Sequence, residues 1–238
     1  MIIKNVKFAL IFLLIPILVQ PAFAAADKNR SYCSSLKVFG LPRSSCVKGF
    51  EFALFNAYTD DVHGVQLSPI ATTATLEKGM QIAVFSNFAR SGAGVQIGAL
   101  NNVFVSPLNP FPGEPLDVLR GGYQGVQLGL VNCAKAFSGF RTGAGNFSDE
   151  FAGLEIGIGN FSEAAHGTPV GVLNITRGHD SVSSGIEFGV ANVNPGTFNG
   201  VQLGIVNASN HLRGVQIGII NVILHARIPF LPIINASW

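Results

Sequence analysis

The chain has 238 residues, of which 12% are charged and 48% hydrophobic, with 28 Gly, 19 Phe and a formal net charge of +2. Soluble domains carry about 25% charged residues and about 7% Gly. The mean hydropathy of +0.41 therefore excludes a disordered polyelectrolyte, and the near-neutral charge excludes the basic stripe that nucleic acid requires.

The N-terminus reads as a secretory leader. Lys4 and Lys7 precede an apolar run over 8–19, and Ala22-Phe23-Ala24 supplies a small-x-small cleavage site, so the cut is expected after Ala24. The run is too short for a membrane-spanning helix, which needs about 20 apolar residues. The organisation that follows is a signal peptide over 1–24, an N-terminal cap over 25–48 and a β-repeat domain over 49–238. Export opens an oxidising compartment to the three cysteines. Cys33 and Cys46 lie 13 residues apart in the cap, and a disulfide closing that loop is worth roughly 3 kcal/mol. Cys133 occupies a repeat position held elsewhere by small or apolar residues and reads as a buried hydrophobe.

Internal repetition dominates the remainder. The clearest copies are Gly125-Val126-Gln127-Leu128-Gly129-Leu130-Val131-Asn132, its equivalent at 200–207 and its equivalent at 214–221. Weaker copies begin at Gly49, Gly64, Gly79, Gly94, Gly139, Gly153, Gly167 and Gly185. Successive starts are 14 or 15 residues apart, except for one step of 18 and one of 31. The longest step holds an insertion over 102–122 with Pro107, Pro110, Pro112 and Pro115, which reads as an extruded loop. A degenerate last copy is expected over 228–235.

Within a unit the second, fourth and sixth residues are apolar, the period-2 signal of a strand. The expectation is that this row fills the core, with Leu128, Ile156, Leu203 and Ile217 stacked inside. The first, third and fifth residues read Gly, Gln or Glu, and Gly. They are expected on the opposite, outward face, with Glu155, Glu187, Gln202 and Gln216 solvated on a flat working surface. The eighth residue is usually Asn, at Asn56, Asn101, Asn132, Asn146, Asn160, Asn174, Asn192, Asn207 and Asn221. Asn tolerates the left-handed region and closes turns through its side chain, so these are expected at turns.

Gly density and the alternating β-branched pattern argue against helices. Two all-β architectures fit. One is a parallel β-solenoid of 14–15-residue coils, with Asn in ladders at a corner. The other is an antiparallel outer-membrane barrel of about twelve strands, with the apolar row on lipid. Barrel strands alternate in direction, and odd and even copies would meet different rims. No odd/even alternation is visible in residues or step lengths, which favours the solenoid.

These units resemble bacterial surface-repeat proteins that iterate G-[VL]-Q-[LI]-G-[LI]-[VI]-N, found in spirochaete surface lipoproteins and in exported proteins of other Gram-negative bacteria. The resemblance runs from Gly49 to Trp238, and the close at 228–235 is similar to the family's typical end. It implies a location in the outer membrane, on the cell surface or in the periplasm, and carries over no catalytic residue. No Cys follows the cleavage site, so lipid anchoring is not implied here.

Chemistry is sparse. His63, His166, His179, His211 and His225 fall at or beside linkers, where solvent exposure accounts for them without a metal. No Ser sits in a nucleophile-elbow motif. With 13 Asp plus Glu in all, the carboxylate cluster of a solenoid hydrolase is not evident. The expectation is a non-enzymatic envelope scaffold with no cofactor, a protein or glycan partner at the cell surface or an outer-membrane association, and no nucleic acid. The insertion and the linker over 175–184, with Arg177, His179 and Asp180, are where recognition is expected.

Overall fold

Gly recurs at the start of every unit because the backbone there takes a conformation that L side chains rarely adopt. At Gly49, Gly64, Gly79, Gly94, Gly125, Gly139, Gly153, Gly167, Gly185, Gly200 and Gly214, φ lies between 127° and 157°. A Cβ added at Gly153 would land on the carbonyl oxygen of Gly139, and one at Gly200 on that of Gly185. Each unit's first Gly thus sits directly over the first Gly of the coil before it.

The computed structural model describes residues 33–39, 45–103 and 122–238. The expected leader and residues 104–121 of the expected insertion lie outside them. The strands are β1 (Cys33–Val38), β2 (Cys46–Phe52), β3 (Asn56–Ser68), β4 (Ala71–Ala83), β5 (Ser86–Ile97), β6 (Leu100–Val103), β7 (Gly122–Leu128), β8 (Val131–Ser162), β9 (Ala164–Thr176), β10 (Val182–Ile223) and β11 (Phe230–Ser237). They form one sheet in which each strand pairs with the next, except that β6 and β7 do not pair with each other and both lie between β5 and β8. Pairing is parallel from β1 to β10, with Gly49 on Gly64, Gly64 on Gly79, Gly79 on Gly94 and Gly167 on Gly185. Parallel coils stacked in register make this a β-solenoid. The barrel alternative falls, because the neighbouring strands of a barrel run antiparallel.

The long 31-residue step leaves the stack intact. β5 pairs with β6 through Asn87↔Asn101 and then with β7 through Gly94↔Gly125, and both continue onto β8. Asn102, Val103 and Gly122, expected within the inserted loop, are instead strand residues.

The degenerate last copy is not a coil. β11 turns back and pairs antiparallel with the final coil, with Gln216 opposite Asn235 and Gly214 opposite Ser237. An antiparallel strand here covers the row of backbone groups that a solenoid otherwise leaves open at its end. At the other end, a disulfide joins Cys33 to Cys46 on adjacent strands β1 and β2, with their Cα atoms 4.5 Å apart.

The inward and outward faces are the reverse of the expectation. Gln66, Gln81, Gln96, Gln127, Gln202 and Gln216 are fully buried, as are Glu155 and Glu187 to within 2%. Ile156 and Ile217 are each 42% exposed, and Leu128 and Leu203 are half-buried. The physical reason is the narrowness of a 14–15-residue coil. The Gly at positions one and five lets successive coils stack closely, because a Cβ at Gly125 or Gly129 would strike the carbonyl of Gly94 or Gly98 in the coil before, and the inward amide bonds to its equivalent in the next coil. Burying a polar group is costly only when it lacks a partner. Here the repeat supplies the partner, whereas a folded protein's surface tolerates apolar side chains.

Two further inward columns complete the interior. Thr59, Ala74, Ala89, Val103, Ala134 and Ser148 form a small-residue column, each at most 3% exposed. Val47, Val62, Glu77, Tyr123, Phe137 and Phe151 stack two residues before the unit Gly, and all are buried. Tyr123, Phe137 and Phe151 lie with near-parallel rings 6.3 and 6.4 Å apart.

Candidate functional site: an outward apolar sheet face

The interior ladders determine which side chains are left to face outward. At the third position, Gln66 Nε2 donates to Glu51 Oε2 at 2.7 Å, Gln81 to Gln66 at 2.8 Å, Gln96 to Gln81 at 2.7 Å and Gln127 to Gln96 at 2.8 Å. Lys37 closes the N-terminal end, 2.9 Å from Glu51. The ladder resumes with Gln202 donating to Glu187 at 2.6 Å and Gln216 to Gln202 at 2.7 Å.

A second ladder runs beside it with donors pointing the other way. Asn87 Nδ2 donates to Asn101 Oδ1, Asn101 to Asn132, Asn132 to Asn146, Asn146 to Asn160 and Asn160 to Asn174, all at 2.8–2.9 Å. It continues through Asn192 and Asn207 to Asn221. From Asn101 to Asn207 the remaining amide hydrogen bonds a carbonyl of the next coil, as Asn132 to Thr142 O and Asn160 to Val170 O. The Asn ladder expected of a solenoid is present from Asn101 to Asn221, but its members do not take the left-handed turn conformation. They lie within strands, and among the described residues only Phe39 and Ile233 have positive φ without being Gly.

Asn56 stands apart from the ladder. The first coils carry one extra residue, so the column there runs Ala57, Thr72 and Asn87, with Thr72 Oγ1 bonded to Asn87 Oδ1 at 2.6 Å. Reading from the preceding Gly missed Thr72 and Asn87. Counting back seven residues from the following Gly finds both.

The third-position column is interrupted at its centre. Arg141 replaces Gln and is fully buried, with its guanidinium 2.6 Å from Glu155 and bonded to Ser148 Oγ and Phe147 O. It lies between the Phe137 and Phe151 rings, 5.3 and 5.0 Å from their centroids. Pro169 takes the next rung and offers no side-chain amide. Glu187, beyond it, is pushed up to about 7, first by burial and then by the nearby Glu155 charge, against the pull of its Gln202 bond. Burial likewise pushes Glu77 up to about 7, beside Tyr123. The interior acids are thus structural members of the columns.

With Gln and Asn turned inward, the second, fourth and sixth positions turn out. The second-position column runs Phe50, Val65, Met80, Val95, Val126, Phe140, and on to Val215. The fourth holds Leu67, Ile82, Leu128, Ile156, Phe188 and Ile217; the sixth holds Val84, Leu130, Ile158, Val172, Ile205 and Ile219. Thr142 and Thr168 are polar, and no charged residue occurs in any of the three columns. Ile158 is 64% exposed and Ile219 66%. One border of the face carries Lys48, His63, Lys78, His166 and Arg213, all exposed, and no carboxylate.

The other residues singled out from the sequence sit at the border of this face or away from it. His211 and His225 stack at 4.3 Å near the C-terminal edge. His166 Nδ1 lies 3.0 Å from Ser184 Oγ. In the linker after β9, Arg177 pairs with Glu163 at 3.6 Å and Ser181 Oγ donates to Gly178 O. Cys133 is half-buried, its thiol pushed up to about 11 by burial. Among the described residues no three His, Cys, Asp or Glu converge on a point that could hold a metal ion. No helix among them is long and apolar enough to cross a membrane.

No family model, curated protein or solved structure matches the chain.

Proposed function

We propose that the protein is an exported, non-enzymatic scaffold of a bacterial envelope that acts through its apolar sheet face. The observation that carries this reading is the outward face of mostly Val, Leu, Ile and Phe along the solenoid, broken by Thr142 and Thr168 but by no charge. Contiguous exposed apolar patches beyond a few hundred Å² mark protein or membrane interaction sites. The leader-like sequence over 1–24 and the surface-repeat resemblance support the envelope location. Translational repeats present the same groups at every rung, which suits a long contact surface rather than convergence of unlike groups on one atom. The Gly/Gln row, expected to be the working surface, is inside, so recognition passes to the opposite residues of the same strands.

Fractionation of the native host tests this. Wild-type protein is expected in the envelope fraction, and the double variant Ile156→Lys/Ile217→Lys is expected to shift to the soluble periplasm or the medium. Recovery of wild type in the cytoplasm with residues 1–24 intact, or identical partitioning of the variant, would refute the reading.

A further inference from the structure

We infer that the apolar face is closed by a second copy of this chain, packed sheet against sheet about a two-fold axis that runs along the array. The inference rests on the face being the working surface, as proposed above, and names its occupant. Three features of the face point to a copy of itself.

The first is period. The eleven unit glycines are held in register, coil on coil, so outward side chains recur every ~4.8 Å along each column. A rigid surface of ridges at that spacing is matched best by one with the same spacing, and this chain provides one. The second is size. Ten steps of ~4.8 Å and a strand width of about 15–20 Å give a face on the order of 700–1,000 Å². A stable interface needs about 800 Å² from each partner, and packed sheets lie about 10 Å apart with interlocked side chains. The third is charge. No like charges meet when the face pairs with itself, because its three columns hold none. The border with Lys48, Lys78 and Arg213 would repel its own copy. A two-fold axis along the array avoids that, since it sets this border against the partner's opposite border, lined by Phe55, Phe85 and Ile220.

Thr142 lies on the middle coil and in the middle column, so this axis brings it against its own copy. The test uses sedimentation equilibrium of the whole protein, wild type and Ile156→Lys/Ile217→Lys, with far-UV circular dichroism to monitor folding. Wild type is expected at twice its monomer mass and the folded variant at the monomer mass. A parallel readout needs no disruptive change: Thr142→Cys in a Cys133→Ala background should give a covalent dimer on mild oxidation, which Cys133→Ala alone should not. A monomeric wild type, a dimer untouched by the two lysines, or no cross-link at Thr142→Cys would overturn the inference. A monomeric wild type that floats with anionic phospholipid vesicles, and loses that binding in the lysine variant, would overturn the dimer and leave the working-face proposal standing. If the lysine variant also partitions like wild type in the host, that proposal falls as well.

Discussion

Asn160 and Ile158 are two residues apart, yet Asn160 is buried and Ile158 exposed, because the coil turns between them as it does at the equivalent residues 129–130. Asn160 is 2% exposed and makes three hydrogen bonds: it accepts from Asn146 at 2.8 Å and donates to Asn174 at 2.8 Å and to Val170 O at 3.1 Å. Each neutral bond is worth about 1 kcal/mol net, and a partner left buried and unpaired costs about 1–3 kcal/mol. Asn160→Ala removes all three and orphans Asn174 Oδ1, so it should cost about 3–5 kcal/mol. Ile158 is 64% exposed, and Ile158→Ala should cost within about 0.5 kcal/mol in dilute protein. Urea unfolding followed by circular dichroism measures both. Asn160→Asp adds a control, because it keeps the shape but replaces the amide donors by a buried carboxyl. It should be strongly destabilised at neutral pH and partly recovered in acid, where a carboxylic O–H can again donate to Asn174. A larger loss at Ile158→Ala than at Asn160→Ala would mean that the faces are assigned the wrong way round.

Arg141→Gln should cost about 3–5 kcal/mol, because it strands Glu155 as an unpaired buried charge; adding Glu155→Gln should recover most of that loss in the thermal midpoint. Gly153→Ala combines a φ of 127° with a Cβ set on the Gly139 carbonyl, and should cost more than about 3 kcal/mol in the same melts. Burial pushes Glu187 up to about 7 in the fold, from about 4.5 when unfolded, a difference worth about 3 kcal/mol. Unfolding therefore releases a proton between these values, and native stability falls as pH rises from about 4 to 7. Glu187→Gln keeps the oxygen that Gln202 donates to, so it should match wild type near pH 4 and exceed it by up to about 3 kcal/mol at pH 8. Cys33→Ser/Cys46→Ser should lower stability by about 3 kcal/mol, read as a shift in the urea midpoint; no shift would show that the link does not secure the N-terminal edge.

What the sequence determined by itself was the period. Copies 14 or 15 residues apart, each with the same alternation and no odd/even difference, allow a stack of equivalent coils, and the parallel register follows from unit Gly lying on unit Gly. The 31-residue step likewise leaves the array continuous, because the unit at Gly125 resumes in register on Gly94. Which face is inside was not legible, since alternation marks two faces and hydrophobicity ordinarily selects the inner one. At Gln202 that rule fails, because its partners are its own equivalents in the neighbouring coils, Glu187 and Gln216. One unit considered alone shows an amide with no partner; only the stack supplies it. Arg141 shows the same limit more sharply. Its charge reads as a solvated residue in the unit, yet Glu155 one coil on, with Phe137 and Phe151 on either side, makes it an interior one. Period is a property of the chain, but hydrogen-bond satisfaction belongs to contacts between coils, and those contacts turned the Gln and Asn inward and left the Val, Leu and Ile outside.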